Sequence, residues 1–431
     1  MDVDGMISVE EARQCILDVV ERLPGENRPL EDALGQVLAE DILSELTIPP
    51  LDNTAMDGYA LRAADTRGAS TSSPVELRVI GNVPAGHIFE GEIGPLQAVR
   101  IMTGAPIPHG ADAVVPFEET TELHCSGPGV TKDRNSVRVY RAVRQDANIR
   151  HAGEDVSLGS CVMRAGTELR AAHIGVLASL GRRTVLAYRR PVVAIVSTGN
   201  ELLALGQPHE MGKIYDSNAY SIAALVQEAG GLPWRLGIAR DTSEDLAAKV
   251  HAAVDADLLI TSAGVSGGDY DVVKDMLLHE EEIQFCSVRM RPGKPLAFGK
   301  FKVGERAIPY VGLPGNPVSS MVAFELFGRP AVFKMMAKAS WERLARRVTI
   351  EDRIENSHGR RIFARAYVRE IDGRYYGSLA GSQGSHVLTS MALANALVVC
   401  PEDVPVLEPG DAADAIMLGP VLAVRENWEG I

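Results

Sequence analysis

The sequence predicts a multidomain α/β protein. Its centre is a doubly wound, mainly parallel sheet domain, joined by a discontinuous N-terminal α/β part, an inserted β domain and a C-terminal β-barrel-like domain. Three observations carry this. Between Pro191 and about Met336, short apolar runs alternate with stretches of helical periodicity, the pattern of βαβ units whose strands are buried on both faces. On either side of that region the period is two, in short β runs broken by Gly and Pro. At 431 residues the chain also exceeds what one ordinary core serves.

Composition narrows the class. With 46% hydrophobic and 23% charged residues the chain sits among globular proteins, not disordered or membrane ones. A net charge of −14 argues against a nucleic-acid or anionic-membrane surface, and three Trp offer little for base stacking. Cys15, Cys125, Cys161, Cys286 and Cys400 are scattered without CxxC spacing and read as buried free thiols of a reducing compartment. The ten His form no HExxH or HxxxH pair. The acidic N-terminus lacks the regions of a signal peptide, and no apolar run approaches the ~20 residues of a membrane span. A cytoplasmic protein with no nucleic-acid or membrane partner is expected.

Along the chain, Ser8-Val9-Glu10-Glu11 is a capping box opening a helix whose Ala12, Ile16, Val19 and Leu23 share a face. A second short helix is expected over about Leu30 to Ala39. The stretch Ile48 to Ala60 carries two prolines and a run of Asp, Asn, Thr and Gly, so it is a loop, either functional or a linker with Asx-turns. Short β runs follow at Val75–Ile80, Ala98–Met102, Ala113–Phe117 and Ser136–Val143. A second polar loop spans Asn148 to Asp155, and helix Ala171–Ser179 closes at Gly181. The boundaries therefore read as 1–48 with 152–184 for the discontinuous first domain, 49–151 for the β insert, 185–338 for the sheet domain and 339–431 for the C-terminal β domain.

Within the sheet domain, strand Val192–Val196 runs into Ser197-Thr198-Gly199-Asn200-Glu201, and strand Trp234–Ile238 into Arg240-Asp241. Strand Leu258–Thr261 turns through Ser262-Ala263-Gly264-Val265-Ser266-Gly267-Gly268 into a helix beginning near Tyr270. That loop can present bare N–H groups to an anion at a helix start, although it is neither a dinucleotide nor a Walker loop. Asp269 and Asp271 either cap this helix or hold a metal. Ligands of such sheets lie off the carboxyl ends of the strands, so Glu201, Asp241 and the Gly264–Asp271 loop face one crevice. Two further stiffened loops follow strands: Arg291-Pro292-Gly293-Lys294-Pro295, with two cations, and Leu313-Pro314-Gly315-Asn316-Pro317, which opens a helix from Val318 to about Met336.

Five acids, Asp57, Asp155, Glu201, Asp241 and Asp271, fall in irregular loops. Carboxylates around a phosphate-binding turn suit Mg²⁺, and Arg291 with Lys294 would balance a polyanion, a layout for phosphoryl or nucleotidyl transfer. Singly, each acid could as well be a cap or a surface charge.

Seven motifs in order, Asn53–Ala60, Arg100–Pro106, Gly153-Glu154-Asp155, Ser197–Leu202, Gly264–Asp271, Pro292–Pro295 and Leu313–Pro317, resemble the molybdopterin molybdenumtransferases, whose eukaryotic members include the gephyrin E domain. The resemblance spans nearly the whole chain. It implies a molybdopterin-binding type of sheet domain in a four-domain, elongated homodimer. It also implies a reaction in which adenylylated molybdopterin and molybdate are substrates, Mg²⁺ the cofactor and AMP a product. By motif, Asp57, Asp155, Glu201, Asp241 and Asp271 correspond to the functional acids, with Glu201, Asp241 and Asp271 as metal ligands. Thr103 and Arg150 are implied as partners from the β insert. Ser262, Gly264, Ser266, Gly267, Pro314, Gly315 and Asn316 are implied as substrate contacts. Arg291, Lys294, Ser319 and Ser385, with Arg361 or Arg365, are implied as the molybdate set.

The implied active site is composite, drawing on both subunits. A molybdopterin adenylyltransferase and cofactor-accepting enzymes are the possible partners. Three positions depart from the family pattern: Asn200 for Asp, Ala263 for Gly and Arg291 for Lys. Two other readings stand beside this one. One is a related molybdopterin adenylyltransferase or nucleotide pyrophosphatase, and the other is a non-catalytic scaffold or binding module.

Overall fold

The computed structural model describes residues 5–124, 135–265, 282–303 and 306–423. They form two compact units, one of Met1–Glu40, Gly166–Gly175 and Arg183–Ile431, the other of Asp41–Ala165 and Val176–Arg182.

The first unit is built on a six-stranded sheet: β1 (Val192–Thr198), β2 (Leu232–Ala239), β3 (Leu258–Ser262), β4 (Ile283–Ser287), β5 (Pro295–Val303) and β6 (Arg306–Leu313). Its spatial order is β2-β1-β3-β6-β5-β4. The first four in that order are mutually parallel, while β5 pairs antiparallel with both β6 and the edge strand β4. Alternate side chains of one strand point to opposite faces, and the packing follows that rule. Val193, Ile195, Leu258 and Ile260 face helices α1 (Val9–Val19), α2 (Asn218–Glu228) and α4 (Pro317–Ala323). Ala194, Val196 and Leu259 face α3 (Ser243–Ala252) through Leu246 and Val250. Helices on both faces of a mainly parallel sheet make it doubly wound, as the βαβ periodicity predicts.

The capping box of α1 is present: Ser8 Oγ accepts the Glu11 N–H at 3.1 Å and Glu11 Oε2 accepts the Ser8 N–H at 2.7 Å. The helix expected over Leu30 to Ala39 is not formed. One 3₁₀ turn, Leu30–Asp32, gives way at Gly35 (φ +75°), and Val37 and Leu38 bridge in extended form to Glu168 and Ala187. The long helix expected after Val318 contains a wide π-turn at Phe324–Gly328. Pro330 lies just beyond and has no N–H to continue the ladder.

The end of this unit is a closed five-stranded barrel. Arg361–Ile371 pairs with Arg374–Leu379, which pairs with Ala345–Ile350, then Ala412–Met417, then Ala396–Cys400, and back to the first strand. Closure leaves no edge strand among these five. The short strand Met290–Arg291 joins the barrel in parallel alongside Arg361–Ile362.

In the second unit the sheet order is Ala113–Pro116, Gly58–Leu61, Gln97–Ile101, Val75–Val83 and Ser136–Val139, the last shorter than its sequence pattern. Gly58 is a close approach: a Cβ there would lie 2.1 Å from Val115 O, so no other residue fits. The described cysteines, Cys15, Cys161, Cys286 and Cys400, are unpaired, and of these only Cys400 is fully buried. Burial, with Cys15 nearby, pushes the Cys286 thiol up to about 12. No helix among the described residues is long and apolar enough to cross a membrane.

The parallel register of β1 and β3 is pinned by one ion pair. Arg189 donates in a fork to Asp257 at 2.8 and 2.6 Å, and Asp257 also accepts the Val192 N–H at 2.8 Å. The Asp257 side chain is 4% exposed and that of Arg189 31%. Asp257→Ala is expected to lower the unfolding free energy by ~2–3 kcal/mol, less than for a fully buried pair because Arg189 keeps some water. A urea melt with an unchanged midpoint would show that the pair does not hold this register.

Candidate functional site

Two groups of candidate residues lie in the first unit. The first is at the carboxyl ends of β1, β2 and β3. Gly199 has φ +147°, and a Cβ on it would meet Glu201 Oε2 at 2.4 Å, so glycine is what lets the Glu201 carboxylate fold back over the turn. Asp241 Oδ2 accepts the Asn200 N–H at 3.0 Å, and Asn200 Oδ1 accepts the Asp241 N–H at 3.4 Å. The acid-bearing turns after β1 and β2 are thus joined through Asn200, whose neutral amide oxygen serves as acceptor. Lys213 Nζ donates to Asn200 O.

Beyond β3, Ala263 and Gly264 both have positive φ, +79° and +80°. For alanine this left-handed conformation costs on the order of 1 kcal/mol. Ser262 Oγ accepts from Asn218 Nδ2 at 2.6 Å, and the same Nδ2 donates to Gly315 O at 2.7 Å. This amide ties the end of β3 and the Pro314-Gly315-Asn316 turn to the start of α2. Its Oδ1 is buried without a partner. Buried Asp216 accepts from Ser197 Oγ at 2.9 Å and from the Ala219 N–H at 3.0 Å. Sequence reasoning missed Asn218 and Asp216. The signal was the Asp-Ser-Asn run immediately before a helical pattern. Ser266, Gly267 and Asp271 lie outside the described residues.

The second group forms a pocket of about 400 Å³ lined by Met290 to Pro295, Ser319, Arg360 and Gln383 to His386. Its floor loop is fixed by two backbone bonds, Arg361 N–H to Arg289 O at 3.0 Å and Val288 N–H to Lys294 O at 2.7 Å. Of the expected molybdate set, Arg291, Lys294, Ser319 and Ser385 line it. Arg361 does not: its guanidinium is spent on Glu10 and Glu402. The neighbouring Arg360 lines the wall instead, a residue that sequence reasoning passed over.

Arg365 lies behind the wall, only 1% exposed. It donates to Ser390 Oγ at 3.2 Å, Ser382 O at 3.0 Å and Gly384 O at 3.1 Å, all neutral acceptors, and so shapes the loop that carries Ser385. Burial first, then the charge of Arg291, holds both Arg360 and Arg365 below the usual arginine pKa. The described lining holds three cations and no carboxylate. Such a pocket is built to receive an oxyanion.

The remaining candidates lie in the second unit. The loop after Ile48 is bonded on one side to the Thr103 turn, through Thr54 N–H to Ala105 O at 3.1 Å. On the other it meets the second polar loop, through Ala55 N–H to Asn148 O at 2.9 Å and Asp155 N–H to Ile48 O at 3.1 Å. Arg150 is exposed and pairs across a short ladder with Asn53. Asp52, also missed, accepts the Ala152 N–H at 2.7 Å, and that bond first, with His151 beside it, lowers its carboxyl pKa.

Asp57 Oδ1 accepts from Thr103 Oγ1 at 2.6 Å and the Thr103 N–H at 2.7 Å. The hydroxyl first, then the amide, holds the Asp57 pKa below the ordinary carboxylate value. The sign follows: these bonds add stability above the unfolded pKa, and lose it as pH falls through the lowered folded one. Thr103→Val keeps the shape and removes the hydroxyl, so Asp57 should titrate upward, toward its ordinary value, in a carboxyl-carbon NMR titration. An unmoved titration would remove the hydroxyl as the cause.

Comparison with known proteins follows the same order along the chain. Residues 7–181 match the family model of the MoeA N-terminal region (domain I and II), 194–334 a probable molybdopterin binding domain, and 347–418 the MoeA C-terminal region (domain IV). Molybdopterin molybdenumtransferase 2 of Mycobacterium tuberculosis is 37% identical over 406 residues, covering 93% of this chain and 96% of its own. The molybdopterin molybdenumtransferase of Bacillus subtilis is 34% identical over 416 residues, covering 96% and 94%. A crystal structure of a molybdopterin biosynthesis moeA protein from Pyrococcus horikoshii OT3 superposes with a TM-score of 0.76 at 30% identity, over 96% of this chain and 100% of that one. With all three family regions matched in sequence order and relatives alike over nearly their full length, the chain belongs to the molybdopterin molybdenumtransferase family.

Proposed function

We propose that this enzyme of molybdenum cofactor biosynthesis inserts molybdate into adenylylated molybdopterin, in a Mg²⁺-dependent reaction that hydrolyses the adenylyl anhydride and releases AMP. The observation that carries the reading is the pocket in which Arg291, Lys294 and Arg360 gather beside the Ser319 and Ser385 hydroxyls with no carboxylate among its described lining. Tetrahedral oxyanions are bound by such donors, and the cations' mutual repulsion is relieved only when an anion arrives.

At the strand ends the chemistry suits the phosphoanhydride. Asn218 donates to Ser262 Oγ, which leaves the serine O–H free to donate to a phosphate oxygen. The exposed carboxylates of Glu201 and Asp241, on turns joined through Asn200, fit Mg²⁺, which needs few protein oxygens and fills its shell with water and phosphate. With Asp271 they would hold the ion. When bound, the ion neutralises phosphate charge and draws electrons from the bond to be broken. Asp57, kept ionised by Thr103, gives a fixed acceptor for a water or substrate proton. The proposal includes a homodimer in which Asp57, Thr103, Arg150 and Asp155 of one copy complete the cleft of the other. Its substrate comes from an adenylyltransferase and its product goes to cofactor-accepting enzymes.

Two measurements test this. With purified substrate, Arg291→Ala combined with Lys294→Ala should raise the molybdate concentration needed for cofactor formation by roughly 10–100-fold, from the loss of charge-assisted bonds. EDTA should stop AMP release, and added Mg²⁺ should restore it. Wild-type protein that releases no AMP would overturn the reading in favour of a scaffold. Conversion of ATP and free molybdopterin to the adenylylated pterin would favour an adenylyltransferase.

A further inference from the structure

Resting on the oxyanion reading above, we infer that the pocket between the Arg291–Pro295 loop and the barrel selects tetrahedral dianions that carry no proton over hydrogenphosphate, because its described wall offers three cationic donors and no carboxylate to accept a P–OH. The inventory is short. Arg291, Lys294 and Arg360 can only donate. Gln383 also lines the pocket, its neutral amide turned to the barrel backbone: Oε1 accepts the Arg365 N–H at 2.9 Å, and Nε2 donates to Arg365 O at 3.0 Å and Gly381 O at 3.1 Å.

Several backbone oxygens of the surrounding loops already accept a bond. Those of Ser382 and Gly384 take the Arg365 guanidinium. Ser385 O takes the Val318 N–H at 3.2 Å, His386 O the Leu388 N–H at 3.1 Å, and Lys294 O the Val288 N–H at 2.7 Å. The side-chain acceptors of the described lining are all neutral, the Ser319 and Ser385 hydroxyls, the Gln383 amide oxygen and the exposed His386 ring, and the hydroxyls can turn to donate.

Molybdate, tungstate and sulfate present oxygens that only accept, so each donor in the wall finds a partner. Hydrogenphosphate has the same charge and nearly the size of sulfate, but one of its four corners is an O–H. In this wall that hydrogen meets three cations and, among the described lining, no carboxylate to receive it, and a donor poorly matched on desolvation is penalised more than a made bond is rewarded. Charge alone therefore does not define the ligand. The missing carboxylate does.

Competition separates the two levels of the argument. Molybdate bound to the full-length protein is followed by equilibrium dialysis at about pH 8, where phosphate keeps one P–OH, with tungstate, sulfate and phosphate as competitors. Tungstate should match molybdate within ~3-fold, and half-displacement should need at least ~10-fold more phosphate than sulfate. A smaller ratio overturns the selection while leaving the pocket an oxyanion site. Absence of saturable molybdate binding overturns the oxyanion reading itself. Arg360→Ala should weaken all four anions together, and unchanged affinities in that variant would place the binding elsewhere and overturn the inference.

Discussion

The anion pocket depends on a two-residue parallel pairing, Met290–Arg291 against Arg361–Ile362. Its walls come from four stretches apart in sequence: the loop after β4, the first turn of α4, Arg360 at the start of a barrel strand, and the barrel loop Gln383 to His386. The short ladder fixes the first to the barrel strand beside Arg360, and the Val318 N–H to Ser385 O bond fixes the second to the barrel loop. Neither join is large. Their value is geometric, since binding groups misplaced by an ångström lose much of what charge-assisted bonds can give. Burying Met290 completely anchors the ladder in the same apolar cluster that packs the helices onto the sheet.

That geometry is held against an electrostatic load. Arg365 is one of the largest fully buried side chains of the protein, has only neutral acceptors, and feels the charge of Arg291. A buried cation without a carboxylate is costly, and an apolar residue of similar volume would usually be at least as stable there. The cost is consistent with a site whose counter-charge arrives with the ligand. Other buried charges are closed by a partner, as with Arg189 and Asp257 or Arg343 and Glu325, the latter bonded at 2.7 Å. The contrast between these closed pairs and the open one around Arg291 separates scaffold from site on physical grounds alone.

Much of this was legible in the sequence because two periodicities rarely lie. The βαβ alternation gives the doubly wound sheet, and its rule about strand ends locates Glu201 and Asp241 on turns that the structure joins through Asn200. What failed were decisions between neighbours. The stretch from Leu30 to Ala39 has helical spacing, but Gly35 in the left-handed region and bridges from Val37 and Leu38 overrule local preference. Arg360 and Arg361 are chemically identical and adjacent, and only the positions of Glu10 and Glu402, which no local pattern reveals, decide which of the two is spent. Asn218 was invisible for the same reason: its importance lies in reaching Ser262 and Gly315, 44 and 97 residues away.

The strand-end crevice shows the complementary sign of function, rules broken together. Ala263 holds a backbone conformation that suits glycine, Gly199 permits a carboxylate where any side chain would clash, and Asn218 keeps a buried oxygen without a donor. Any one of these would pass as local irregularity. Gly199 and Ala263 sit on the turns that leave β1 and β3 at their carboxyl ends, where such sheets bind ligands, and Asn218 reaches the second of these from the start of α2. Exceptions gathered at one crevice are ones a ligand can repay. The departure at Ala263 then has a physical cost: its methyl group is held in the left-handed conformation at about 1 kcal/mol that glycine would avoid. The Ser262 hydroxyl beside it is oriented from outside the turn, by the Asn218 amide bonded to it at 2.6 Å.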